Sequence, residues 1–244
     1  RATDILLEAI YDDDELIDFL SAKAAQWSLG NDKRSPPHIQ DNLRDGLLRQ
    51  FIGSVRDFRI RGNEGMTQTA MAAAAAVLDD PVETPAALDW LFEPGARGSG
   101  GGHIPATLIG EVDRDGVGNE ASPSYSFIWM NLFRRCAAVL ERCKAHRDYD
   151  LHRDYPRLRR MYAAPHRLTA LDRYTPRIGD TGRAGDPGLL SVDLETTIDV
   201  FARFGETWAA QLAYRLNGDS VEGLHTSVYD AEPEVIQTRI AAVI

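Results

Sequence analysis

Apolar side chains recur along this chain at three- and four-residue steps, the spacing that places them on one face of an α-helix. Leu43, Leu47, Leu48, Phe51, Ile52, Val55 and Phe58 form one such stripe. Trp129, Phe133, Cys136, Leu140 and Cys143 form a second. Leu194, Ile198, Phe201, Phe204, Trp208 and Leu212 form a third. Between them, Met66 to Leu78 is rich in alanine, a strong helix former whose small side chain lets helices approach closely. Asp4 to Ala25 and Glu232 to Ile244 are further helix candidates. No run of five or more residues alternates apolar and polar as a half-buried strand does.

Turn-forming Gly, Pro, Asp and Asn gather at Gly30–Pro37, Asp79–Pro85, Glu93–Gly102, Asp113–Pro123 and Thr175–Gly188. They separate the helical runs without making a long linker. The pattern predicts an all-α fold of packed helical hairpins, a single domain over residues 1–244.

Charge changes this picture locally. The 244 residues carry a net charge of −10. Yet Arg134 to Arg177 holds eleven Arg and one Lys against five acids, so that stretch is +7 and the remainder −17. The overall acidity argues against a general nucleic-acid partner, because that affinity comes largely from neutralising phosphates. Arginine's planar fork suits a carboxylate or sulfate, so the basic stretch is either a site for an anionic ligand or a solvated helix face. No apolar run reaches the length of a membrane span. No basic segment followed by an apolar one marks a signal peptide.

Several motifs fail on inspection. The run Gly98–Gly102 lacks the Gly-Lys-Ser/Thr ending of a phosphate loop. Asp113-Arg114-Asp115-Gly116 has its glycine too early for a calcium loop and reads as a turn before a helix. Cys136 and Cys143 lie seven residues apart on one predicted helix, about 10 Å along its axis, and read as core thiols. His146, His152 and His166 are loosely spaced in the basic stretch, open to a metal site but reading better as surface histidines. No metal or cofactor is expected.

The segment richest in chemistry runs from Asp115 through Glu120-Ala-Ser122-Pro123-Ser to Tyr125. Pro123 is placed as the first helical residue, with Ser122 as its cap. Tyr125 then falls in the first turn, where the helix N-terminus favours negative charge and would stabilise a tyrosinate. This segment resembles the catalytic-tyrosine motif of the heparinase II/III-like polysaccharide lyases, which include alginate lyases. Arg61-Gly-Asn63-Glu64-Gly-Met66 and the alanine-rich run after it resemble that family's asparagine site. Tyr174-Thr-Pro-Arg177-Ile-Gly-Asp180 resembles its Pro-x-x-Gly-Asp segment. The three follow in the family's order, between about Asp41 and Gly218.

The resemblance implies an incomplete (α/α) toroid of helical hairpins, lacking the family's C-terminal β-sandwich and truncated at both ends. It implies a periplasmic or secreted enzyme that cuts an anionic, uronate-containing glycan by β-elimination. In such a reaction Tyr125 is the acid/base. Asn63 neutralises the uronate carboxylate beside the proton to be removed. Glu64, Glu120 and Arg177 are candidate substrate contacts. Glu64 departs from the histidine or aromatic residue often found there, and an anion beside an anionic sugar needs a cation or a proton. Two rivals remain at this level. One is a helical array that only binds glycan or protein. The other is an (α/α) toroid glycoside hydrolase using Glu64 and Glu120 as its two carboxylates.

Overall fold

The computed structural model describes residues 13–95, 102–170, 174–180, 193–227 and 230–244. The described residues are helical, with two isolated β-bridges and no sheet. In order, the helices are α1 (Asp14–Gln26), α2 (Pro36–Leu43), α3 (Gln50–Arg56), α4 (Met66–Leu78), α5 (Glu83–Phe92) and α6 (Ile104–Gly110). They continue as α7 (Pro123–Arg142), α8 (Leu151–Asp154), α9 (Pro156–Arg167), α10 (Leu194–Phe204), α11 (Thr207–Leu216) and α12 (Pro233–Ala241). The all-α expectation holds. Among the described residues, no helix is long and apolar enough to cross a membrane. The first part of the predicted Asp4–Ala25 helix and most of the glycine run at 98–102 lie outside the described residues.

The chain divides into two compact units. One comprises Arg1–Asn119 and Ile128–Arg159; the other comprises Glu120–Phe127 and Arg160–Ile244.

In the first unit α4 packs against α3 and α5. Its alanines make this possible: Ala72 and Ala75 are fully buried beside Met71. The break after α4 is built by two aspartates. Asp79 takes the left-handed conformation at φ 47°, ending the helix. Asp80 then accepts hydrogen bonds from the Val82 and Glu83 N–H groups, both at 2.8 Å, and so starts α5. Thr84 donates to the Ala75 carbonyl at 2.8 Å and staples the two helices together. Beyond α7, Arg147 grips Asp89 of α5 with two bonds of 2.7 Å, and Tyr149 donates to the same carboxylate while stacking on Phe92. Cys136 and Cys143 are free and buried, as expected for core thiols. Burial pushes the Cys136 thiol up to about 12, so it is inert at neutral pH.

Two periodicity readings need correction. The stripe from Leu43 to Phe58 is not one regular helix. A wider π-helical stretch, Arg44–Arg49, lies between α2 and α3. Such a stretch adds residues to the turn and rotates everything after it. Leu48, Ile52 and Val55 therefore point inward while Leu47 is 47% exposed. Phe58 lies past the end of α3 with φ 53°. The stripe from Leu194 to Leu212 is two helices. Gly205, at φ 66°, closes α10 by donating to the Phe201 carbonyl at 2.9 Å. α11 then packs back on α10. The three- and four-residue steps run through Gly205 unbroken, so periodicity hides the turn that the glycine marks.

The second unit is built on this α10–α11 hairpin. Asp193 caps α10 by accepting from the Thr196 N–H at 2.7 Å. Tyr162, fully buried, reaches Phe204 with ring centroids 6.2 Å apart. α12 adds Ile236 and Ile240 to the core, and its Arg239 guanidinium lies over the Phe201 ring.

Two glycines probe the packing of the first unit. Gly65 has φ 88°, and a Cβ there would sit 2.8 Å from Leu132 Cβ and 3.3 Å from the Phe133 ring. Gly65→Ala is expected to destabilise the protein by about 2–3 kcal/mol through overpacking and backbone strain. Gly53, inside α3, has nothing within 4 Å of where a methyl group would sit, and Gly53→Ala is expected to be neutral or to stabilise by up to about 1 kcal/mol. Urea unfolding of both variants decides the comparison.

Candidate functional site

The second unit brings together two of the three segments that the sequence singled out. α7 begins at Pro123, as predicted. Ser122 before it is fully buried. Its hydroxyl faces the Tyr125 N–H at 3.5 Å and donates to the Asp180 carbonyl at 3.1 Å, across 58 residues of sequence. The segment 174–180 is held at its start by the Ala170–Tyr174 bridge, with bonds of 2.7 and 3.0 Å, and by Thr175, which is buried. Its end lies tightly on the helix start. A Cβ on Gly179, at φ 60°, would meet Ser122 Cβ at 3.3 Å and the Ala121 carbonyl at 3.5 Å. Glycine is what permits this approach.

Tyr125 is half-buried in the first turn of α7. Hydrogen bonding to the Asp180 carboxylate is the largest influence on its phenol. That bond, then the negative charge of Asp180, then desolvation and the charge of Glu120, raise the phenol above its ordinary range. The expectation of a stabilised tyrosinate is therefore reversed. A helix N-terminus offers about half a positive charge, spread over several N–H groups. A full negative charge in hydrogen-bond contact outweighs it. Tyr125 therefore stays protonated through neutral pH and holds its proton more tightly than a free tyrosine does.

Glu120 is exposed just before this helix, and Arg177 is half-buried within the 174–180 segment. Both belong to the second unit. The third segment belongs to the first unit. Asn63 is half-buried in the turn that starts α4, where its carbonyl accepts from the Met66 N–H at 2.9 Å. The Gly65 N–H donates to the Gln68 side chain at 3.0 Å and closes that turn. Glu64 is 3% exposed, and its carboxylate accepts a 2.6 Å hydrogen bond from the Thr107 hydroxyl of α6. It faces protein more than solvent, which leaves little of it to touch a sugar.

Three arginines of the +7 stretch are used internally. Arg147 holds Asp89, Arg153 holds Asp148 and Asp154, and Arg157 donates to the Ile109 and Val112 carbonyls. Among the described residues, no three His, Cys, Asp or Glu side chains gather as a metal site requires. Compared with protein-family models, curated proteins and solved structures, the chain matches none of them.

Sequence reasoning placed Asp180 in a motif but gave it no role. Hydrophobic periodicity is silent on it, and only the paired Gly179-Asp180 hints at a chain held close to something else. The arrangement offers one neutral phenol acted on by two carboxylates, Asp180 and the exposed Glu120. It is suited to donating a proton.

If Ser122 is the clamp, its loss should be local. Ser122→Ala is expected to cost roughly 1 kcal/mol of stability, as a lost helix cap does. Amide hydrogen exchange across residues 174–180 should speed up while α10 to α12 keep their protection. Unchanged exchange in that segment would show that Ser122 does not hold it.

Proposed function

We propose that this chain is the helical region of a polysaccharide lyase that cuts a uronate-containing anionic glycan by β-elimination. The observation that carries the reading is the hydrogen-bonded meeting of the Glu120–Tyr125 and Tyr174–Asp180 segments, two pieces of the resemblance to heparinase II/III-like lyases that lie far apart in sequence. The fold in this reading is an (α/α) toroid of helical hairpins, and the protein works in the periplasm or outside the cell.

The chemistry follows from the substrate. The C5 proton of a uronate is weakly acidic because the carboxylate beside it is already negative. A neutral donor on that carboxylate stabilises the charge that develops as the proton leaves. Asn63 takes that part by resemblance of its segment. A base, water or a protein side chain, takes the C5 proton as the C5–H electrons form the C4–C5 double bond and the C4–oxygen bond breaks. The departing oxygen then takes the phenolic proton of Tyr125. The upward shift keeps the phenol in the protonated form that the donor half of the acid/base role starts from, while making it a weaker acid. Arg177 is a candidate partner for a neighbouring carboxylate or sulfate.

Glu64 weighs against the hydrolase alternative. A glycosidase carboxylate must reach the scissile bond or its water, and Glu64 is buried against Thr107.

The test is ultraviolet absorbance during incubation with heparan sulfate, alginate and hyaluronan. Elimination creates a conjugated double bond that absorbs; hydrolysis does not. Absorbance is expected to rise with one of these glycans. Tyr125→Phe should lower the rate by about 10²–10⁴-fold, and Asn63→Ala should lower kcat more than it raises KM. Binding without new absorbance or new chain ends would favour the recognition array.

A further inference from the structure

We propose that a cleft along α11 is a second glycan-binding site, one that takes an uncharged sugar ring. It rests on the lyase reading for the glycan that supplies the ring, but not for the site itself. The cleft has a volume of about 420 Å³, within the range of small-molecule sites, roughly 300–1,000 Å³. Its lining belongs to the second unit, and Glu120, Tyr125, Arg177 and Asp180 do not line it. Trp208, Gln211, Leu212 and Arg215 line it from α11, at the three- and four-residue steps that make one helix face. The apolar rhythm of the sequence counts Trp208 and Leu212 as core. In the folded chain Ala209, Ala210 and Ala213 are the fully buried residues of α11, while Trp208 and Leu212 are half-buried. The small residues carry the packing, and the tryptophan is left to form the wall of the cleft.

The chemistry of this wall selects a sugar. His166, from the end of α9, stacks on the Trp208 indole at 16° with ring centroids 5.6 Å apart, which restrains that ring. An indole face carries negative π density and attracts the slightly positive C–H groups on the flat side of a sugar ring. Gln211 offers two donors and an acceptor; Asp219, in the turn after α11, offers acceptors only. Both are exposed. Sugar hydroxyls donate and accept, so they match this pair. Asp219 and Arg215 carry opposite formal charges, which leaves the wall no net attraction for an anion. The Asp219 carboxylate also repels a uronate or a sulfated ring directly. A neutral ring makes the stacking contact and the hydrogen bonds without that cost. Such a site distinguishes a glycan in which uronates alternate with neutral rings, as in hyaluronan, from alginate, in which every ring is a uronate.

The experiment is an NMR titration that follows the indole N–H signals of the four tryptophans. The probes are the methyl glycosides of N-acetylglucosamine and of glucuronic acid, single rings that offer no glycosidic bond at C4 to eliminate. Trp208→Phe identifies the Trp208 signal. The neutral glycoside is expected to move that signal while Trp90 and Trp129 stay in place, and to bind about 5-fold or more tightly than the glucuronide. Gln211→Ala should weaken it about 5- to 10-fold, the loss of roughly one hydrogen bond. Asp219 has φ 58°, a conformation that asparagine also tolerates. Asp219→Asn should narrow the preference over the glucuronide to within about twofold. The remaining indole signals report that each variant is folded. No movement of Trp208, or movement only of Trp27, which is 69% exposed, would overturn the site. So would unchanged binding in folded Gln211→Ala, and equal binding of the two glycosides would overturn the choice of a neutral ring. Binding at Trp208 with no elimination of any glycan would sink the lyase reading and leave this site standing. Elimination with Trp208 unmoved would do the reverse.

Discussion

The second unit turns on a small clamp, the buried Ser122 hydroxyl that holds the Asp180 carbonyl. Ser122 stands at the start of a 20-residue helix, a position chosen by Pro123, which has no N–H to lose there. The same serine faces the backbone N–H of Tyr125. One side chain therefore ties the helix start to a segment 58 residues away, the segment whose Asp180 does most to raise the Tyr125 phenol. Without it, Tyr125 is an ordinary tyrosine in a first helical turn.

The first unit depends on a different constraint, closeness of backbone. Fully buried alanines in α4 let it pack between α3 and α5, and Gly65 lets the turn before it lie on Leu132 and Phe133. The residues around Asn63 are consequently set by tight packing and backbone bonds. The buried Glu64–Thr107 bond belongs to this packing, and it draws the carboxylate inward from the place a substrate contact would need.

Much of the helical content was legible because burial on one face imposes a three- and four-residue period, and the Met66–Leu78 run needed only its composition. The errors arose where periodicity continues through a change of geometry. Gly205 turns the chain without disturbing the steps from Phe201 to Trp208, and the π-helical stretch at Arg44–Arg49 rotates a stripe without breaking it. At the site, the helix start at Ser122-Pro123 was readable because capping is local chemistry. The direction of the Tyr125 shift was not, because it comes from Asp180, and no local rule connects residues 125 and 180. The basic stretch was open in sequence between an anion site and a solvated helix face. Several of its arginines are engaged with acids and carbonyls brought near by folding, which no local pattern shows.

If this protein breaks a glycosidic bond by elimination with Tyr125 as proton donor, its products carry the proof. The most direct measurement is mass spectrometry of the products formed from a uronate glycan in water labelled with heavy oxygen. Elimination takes no water into either fragment. It predicts unlabelled products, with one new end per cut lighter by one water than a hydrolytic fragment, and their loss in Tyr125→Phe. Label at the new chain ends, persisting in that variant, would contradict it.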